Sequence, residues 1–222
     1  MSAAAPTTPT AWILTKAGSV LTNLKKESIE QPQPKGNQVL VTVRAAALNP
    51  VDWKFASLPG FAQTLPRILG GDVAGTVHSY GPNVSKEDKA RLPVGSRVFG
   101  LINTTENAKD CGTLSTHALV NATRLAPIPD EVDDQHAAGL ALVGMTAATM
   151  ITKSGFQKGD KVLVLGGSTS VGLLLLQMLK NDGAGQIVTT ASGKKVEAVK
   201  EMGADIVFDC ESCLLRSESD HF

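Results

Sequence analysis

Residues 160–195 constrain this chain more than any other stretch. Positions 161–165 form a short apolar run with β-branched residues, 166–172 read Gly-Gly-Ser-Thr-Ser-Val-Gly, and 171–180 have the length and leucine content of a buried helix. A second apolar run at 187–190 follows within the span of a crossover connection, so the two strands are expected to be parallel neighbours. A glycine-rich turn between strand and helix suits a dinucleotide's pyrophosphate, because the helix start presents unpaired N–H groups and the positive end of its dipole. The Gly-x-Gly-x-x-Gly spelling needs glycine at 167, 169 and 172, and position 169 is Thr. Beside Gly167, Gly172 and Val171, the hydroxyls of Ser168, Thr169 and Ser170 are therefore expected to supply donors to the phosphates. Taken alone, the stretch also fits an ordinary tight strand-to-helix turn.

The rest of the chain narrows the class. At 222 residues and 42% hydrophobic it has material for one large domain or two modest ones. Its 21 basic and 21 acidic residues are scattered, which gives no pointer to nucleic acid or an anionic membrane surface. No apolar run has the length of a transmembrane helix. The first ten residues are rich in Ala, Thr and Pro and lack the basic and apolar regions of a signal peptide, so a disordered start and a cytoplasmic protein are expected. Cys111, Cys210 and Cys213 are too few for a disulfide framework. The Cys-x-x-Cys at 210–213 lies near the end, away from a helix start that would lower a thiol pKa, and no redox or metal role is expected of it.

Along the chain, 12–14 and 20–24 flank Lys16-Ala-Gly-Ser19 as the arms of a hairpin. Val39, Val41 and Val43 alternate as one face of a half-buried strand, and further strands are expected at 73–77, 97–101 and 114–120. Residues 11–130 thus read as a β domain of short strands and long loops, after a tail at 1–10. A helix is expected from Asp133 or Asp134 to Ile151, capped by an Asp. After Gly193, a helix over 194–202 stopped by Gly203 and a third strand at 206–208 complete the segment 131–209, and 210–222 form a tail.

Five motifs then stand in order: Asn-Pro-Val-Asp-Trp-Lys at 49–54, Gly-Gly-Asp-Val-Ala-Gly-Thr-Val at 70–77, Val-Gly-Ser-Arg-Val-Phe at 94–99, Ala-Ala-Gly at 137–139 with Gly-Met-Thr-Ala at 144–147, and the turn at 166–172. Together they resemble the medium-chain dehydrogenases/reductases, in the zinc-free quinone reductase and enoyl reductase branch, and most of all fungal trans-acting enoyl reductases. The resemblance implies α/β plus β architecture: an N-terminal GroES-like β-barrel domain, then the first half of a Rossmann dinucleotide-binding domain. It also implies a cleft holding NADPH and a small-molecule enone or quinone. Where the zinc-dependent branch has a Cys-containing segment this chain has Leu48-Asn-Pro-Val-Asp52, and where that branch has Gly-His-Glu it has Gly70-Gly-Asp72. Independently, the histidines at 78, 117, 136 and 221 lack the spacing of a catalytic zinc site, so no metal is expected.

In the implied reaction a hydride reaches the β-carbon of a conjugated enone, or a quinone, and negative charge develops on oxygen. Without a metal, Asn49 and Lys54 are the candidate catalytic donors, on a loop whose Val51, Asp52 and Trp53 are candidate cofactor contacts, and Thr146 is a candidate donor to the nicotinamide or ribose. Plainer readings stand beside these: Asn49 as a turn cap, Asp52 as a helix start, Lys54 as a solvated cation. Ala137, Ala138, Gly139, Leu140 and Gly144 resemble the family's substrate-facing segment, although packing alone also explains an Ala-rich helix. The end of the second strand, Thr-Thr-Ala-Ser-Gly-Lys-Lys at 189–195, carries no carboxylate and offers Ser192, Lys194 and Lys195 to the 2′-phosphate of NADPH. Because three strands make only half of a doubly wound fold, the chain is expected to be C-terminally truncated, a poor catalyst or none, and to aggregate or need a partner, with an oligomer or partner subunit as the alternatives left open. The alternative is a non-catalytic fragment that binds nucleotide or a partner.

Overall fold

The computed structural model describes residues 8–57, 65–102 and 112–211; Cys111, Cys213, His221 and most of both expected tails lie outside them. The contacts divide the chain into two compact units, Met1–Leu142 and Val143–Phe222. The division falls inside a helix, twelve residues beyond the change of composition at 130.

The first unit runs β1 (Thr10–Leu14), α1 (Val20–Asn23), β2 (Leu24–Ser28), β3 (Gln38–Ala45), α2 (Pro50–Ser57), β4 (Arg67–Ile68), β5 (Asp72–Tyr80), α3 (Lys86–Arg91), β6 (Arg97–Leu101), β7 (His117–Asn121) and β8 (Leu125–Pro127). Five strands form an antiparallel sheet in the order β7-β3-β5-β6-β8, and three more pair as β2-β1-β4. β3 lies between two neighbours, and Val39, Leu40 and Val41 are all fully buried, so both its faces are covered where the sequence suggested one. With Val73, Val77, Val98, Leu119 and Val120 they make the largest apolar cluster of this unit.

Two expected elements differ. The hairpin has β1 and β2 as its arms, but Val20–Asn23 is a single helical turn and the second strand starts at Leu24. Asn23 closes that turn: its N–H donates to the Ser19 carbonyl at 3.1 Å and its side-chain amide to the Ala17 carbonyl at 3.1 Å. The run at 114–120 serves two sheets, since Leu114 accepts the Trp12 N–H at 2.8 Å whereas β7 begins at His117.

Next comes α4 (Asp134–Ser154), capped as its sequence requires by Asp133, whose carboxylate accepts the His136 N–H at 2.8 Å. Arg97 of β6 donates to the Asp134 carboxylate at 3.0 Å and so ties the start of α4 to the five-stranded sheet.

The second unit runs β9 (Lys161–Val164), α5 (Ser170–Asn181), β10 (Gln186–Ala191), α6 (Val196–Glu201) and β11 (Ile206–Asp209). The strands are parallel in the order β11-β10-β9, which is the 3-2-1 order of the first half of a doubly wound sheet. Val164, Ile187, Ala191, Leu175, Leu176, Leu179 and Val199 pack together, so α5 and α6 cover one and the same face of this sheet. The helix expected over 194–202 is two pieces: Gly193–Lys195 is a 3₁₀ turn and only Val196–Glu201 is α-helical.

Candidate functional site

In the second unit the chain leaves β9 through Gly166 and Gly167, whose N–H groups donate to the Thr190 hydroxyl at 2.9 Å and the Thr190 carbonyl at 3.0 Å. These bonds seat the turn on β10. The helix then comes down onto the turn at Gly172: a Cβ there would lie 2.3 Å from the Gly166 carbonyl oxygen and 2.8 Å from Gly167 backbone carbons. Only glycine permits that approach, which is the role of the third glycine in a dinucleotide fingerprint.

Thr169 departs from its expected part. Its hydroxyl donates to the Gly166 carbonyl at 2.9 Å and accepts the Gly172 N–H at 3.0 Å, so it caps α5 and faces inward. Of the three expected hydroxyl donors only Ser168 and Ser170 are uncommitted. Among the described residues, the backbone N–H groups of Ser168, Ser170 and Val171 have no acceptor. Unpartnered amides at the start of a twelve-residue helix, on a turn whose Gly167 and Gly172 leave no room for a Cβ, form a cradle that fits a diphosphate.

At the end of β10, Ser192 makes no side-chain cap bond, and Lys194 and Lys195 are exposed. The local sequence carries no carboxylate, but the fold brings two from β11 and its end. Asp209 accepts the Gly193 N–H at 3.0 Å, and the Glu211 carboxylate lies against Gly193. Both are missed in the sequence because they are far along the chain, Asp209 ending the third strand and Glu211 lying just beyond it. Thr146 and Gly144 lie half-buried on α4.

In the first unit, Pro50 opens α2, as a residue without an N–H can at a first helical position. Asp52 accepts the Asn49 N–H at 2.7 Å and folds back over the helix start, so the plainer reading of Asp52 describes its carboxylate. The Asn49 amide, by contrast, is turned away from that helix: it donates to Asp72 at 2.7 Å. The other Asp72 oxygen accepts the Leu142 N–H of α4 at 2.8 Å. Val51 is half-buried, Trp53 and Lys54 are exposed, and the Lys54 ammonium sits 5.8 Å from the Trp53 ring centre. Ala137 and Ala138 are 1% exposed and pack with Ala74 and Ile128. Gly139 and Leu140 lie on the exposed side of the helix.

Asp72, fully buried, and Asp52, nearly so, have carboxyls pushed above the ordinary value of 3.8, each chiefly by desolvation. The Asn49 and Leu142 donors oppose the rise at Asp72, and the Asp52 charge adds to it. An acid raised in the folded state holds its proton more tightly folded than unfolded. Its stabilising contribution is complete below the unfolded value and is lost as pH climbs through the folded one. Asp72→Asn cannot ionise and also loses one acceptor, a loss that does not depend on pH. Its urea midpoint is therefore expected to gain on that of the wild type as pH rises from about 4 to neutrality. A difference that stays flat with pH would refute the coupling.

Among the described residues, no three His, Cys, Asp or Glu side chains are grouped to hold a metal ion.

The alcohol dehydrogenase GroES-like domain profile matches residues 35–130. An NADPH-dependent alkenal/one oxidoreductase of Arabidopsis thaliana, named as chloroplastic, is 35% identical over 204 residues, which are 90% of this chain and 52% of that protein. A trans-enoyl reductase of Aspergillus terreus is 35% identical over 212 residues, 89% of this chain and 67% of its own length. The chain belongs to the medium-chain dehydrogenase/reductase family. Among solved structures, a mycobacterial quinone oxidoreductase superposes on this chain with a TM-score of 0.78 at 32% identity, over 90% of this chain and 58% of the other. The fold is accordingly a GroES-like β domain followed by the first half of a Rossmann domain, and the chain spans about half the length of several relatives it matches.

Proposed function

We propose that this chain is an NADPH-linked, zinc-free medium-chain reductase acting on a carbon–carbon double bond conjugated to a carbonyl, with quinone reduction as a close variant. The observation that carries the reading is the Ser168–Val171 cradle, whose three unpartnered amides follow the first strand of a parallel sheet on a chain related to NADPH-dependent and enoyl reductases. When bound, NADPH would supply hydride to the β-carbon of the substrate. The chain's own part is to hold and to stabilise. The amides of Ser168, Ser170 and Val171 receive the diphosphate, and Ser192, Lys194 and Lys195 receive the 2′-phosphate. Lys54 and the second N–H of the Asn49 amide are the donors for charge developing on the substrate oxygen. The test is loss of reduced-nicotinamide absorbance across a panel of enones and quinones, run beside a fluorescence titration of cofactor. Turnover supports the enzyme, and binding without turnover supports the alternative of a nucleotide- or partner-binding fragment.

The 2′-phosphate assignment predicts tighter binding of NADPH than of NADH. Replacing Lys194 and Lys195 together by Ala is expected to cost NADPH roughly tenfold or more in affinity while leaving NADH within about twofold, since only the former presents the charged group. Equal losses for both cofactors would rule it out. The reading also requires no tightly held metal, so elemental analysis finding one zinc per chain would contradict it. Cytoplasmic residence belongs to the same proposal; fractionation is its test, because one relative is named as chloroplastic. No helix among the described residues is long and apolar enough to cross a membrane.

A further inference from the structure

We infer that Asp209 is a positioning residue for the 2′-phosphate end of the cofactor site, an inference that rests on the reading of Ser192, Lys194 and Lys195 given above. Asp209 ends β11 in register with Ala191 at the end of β10. One of its carboxylate oxygens accepts two backbone N–H groups, that of Gly193 at 3.0 Å and that of Glu211 at 3.0 Å. A single side chain thus joins the turn after β10 to the helical residues that follow β11. Gly193 has φ +30°, and a Cβ on it would lie 2.8 Å from a Glu211 carboxylate oxygen, so the tip of the Glu211 side chain lies over this turn. Among the described residues, the other backbone bonds of the Gly193–Lys195 turn, Lys195 N–H to the Ser192 carbonyl at 2.9 Å and Val196 N–H to the Gly193 carbonyl, close it on itself without tying it to a neighbouring strand. The Asp209 bond fixes where the turn starts, and with it where the two lysines stand.

Electrostatics and positioning predict opposite signs here. Asp209 and Glu211 are carboxylates beside a segment that would receive a dianion, so charge alone says that removing Asp209 strengthens phosphate binding. If the carboxylate acts as an anchor, removing it weakens binding, and only of ligands that carry the 2′-phosphate.

The experiment titrates the 222-residue chain with adenosine 2′,5′-bisphosphate and with 5′-AMP, in the wild type, Asp209→Ala, Asp209→Asn and the double lysine variant. The expected result is a wild-type preference for the bisphosphate that Asp209→Ala lowers about tenfold while 5′-AMP changes less than about twofold. Asp209→Asn is expected to keep the preference, because its carbonyl oxygen can accept the same two amides without the charge. A preference retained or raised in Asp209→Ala, while the lysine variant loses it, overturns this inference alone. Equal weakening of both ligands in Asp209→Ala shows a merely structural role and also overturns it. A wild type without preference, or a lysine variant that keeps it, overturns the cofactor reading and this inference together.

Discussion

Gly172→Val is expected to abolish dinucleotide binding, lowering affinity at least about a hundredfold, close to 3 kcal/mol, and to lower the stability of the second unit by about 1–3 kcal/mol. The reason is backbone against backbone. The Gly166 carbonyl oxygen would be 2.3 Å from the new Cβ, and no flexible side chain stands there to move aside. Either α5 lifts off the turn or the turn leaves β10, breaking the bonds that Gly166 and Gly167 make to Thr190. In both cases the amides of Ser168, Ser170 and Val171 lose their present arrangement at the start of α5. A fluorescence titration of NADPH beside a urea melt separates the two effects. Even Gly172→Ala should fail, and a Gly172→Ala chain that bound cofactor like the wild type would sink the account of the cradle. Ser168→Ala, which removes a hydroxyl and keeps the amide, is the control and is expected to cost no more than a few-fold.

The second large effect concerns turnover. As a 222-residue chain, the protein is expected to reduce enones more slowly than about 1 per second, below the usual range of enzymes, and to self-associate. The cause lies in the three-stranded sheet. Leu163, Val188 and Ile206 lie side by side in register on the face opposite α5 and α6, and Phe208 continues the same face. Leu163 is 61% exposed, Ile206 41% and Phe208 57%, and β9 is an open edge among the described residues. Parallel sheets are ordinarily covered on both faces, and an apolar face with a free edge recruits other chains. Light scattering should show concentration-dependent association, reduced by Leu163→Thr together with Phe208→Thr. A monodisperse monomer with turnover at ordinary enzyme rates would refute the prediction.

What the sequence disclosed was what short-range pattern encodes. β6 stands at the expected residues because the turn at 93–96 marks its start, and α4 begins where an Asp can accept its first amides. The parallel pair β9 and β10 and the helix between them follow from one apolar run, one glycine turn and one leucine-rich segment. β2 was misplaced because Leu24–Ser28 is a polar, largely exposed edge, with no apolar alternation to mark it. The site divides in the same way. The glycines of the turn were legible, but which hydroxyl faces inward is decided by the cap geometry of α5. Asp72 was visible only as a residue standing where a metal ligand would otherwise be. Its bonds to Asn49 and Leu142, 23 and 70 positions away, exist only once β5, α2 and α4 have come together. The carboxylates beside Gly193 were hidden for the same reason.

Thr169 bears on how this loop can change over generations. Placing glycine at 169 would complete the spelling Gly-x-Gly-x-x-Gly in one step, yet the same step would delete the hydroxyl that binds both Gly166 and Gly172. The letter of the motif and the physical closure of this particular turn have parted company. Thr169→Gly alone would therefore complete the common spelling at the cost of a less well-formed helix start, unless another residue took over the cap. Two chains with the same turn can in this way remain separated by a barrier of substitution order, although nothing in the ligand they would hold distinguishes them.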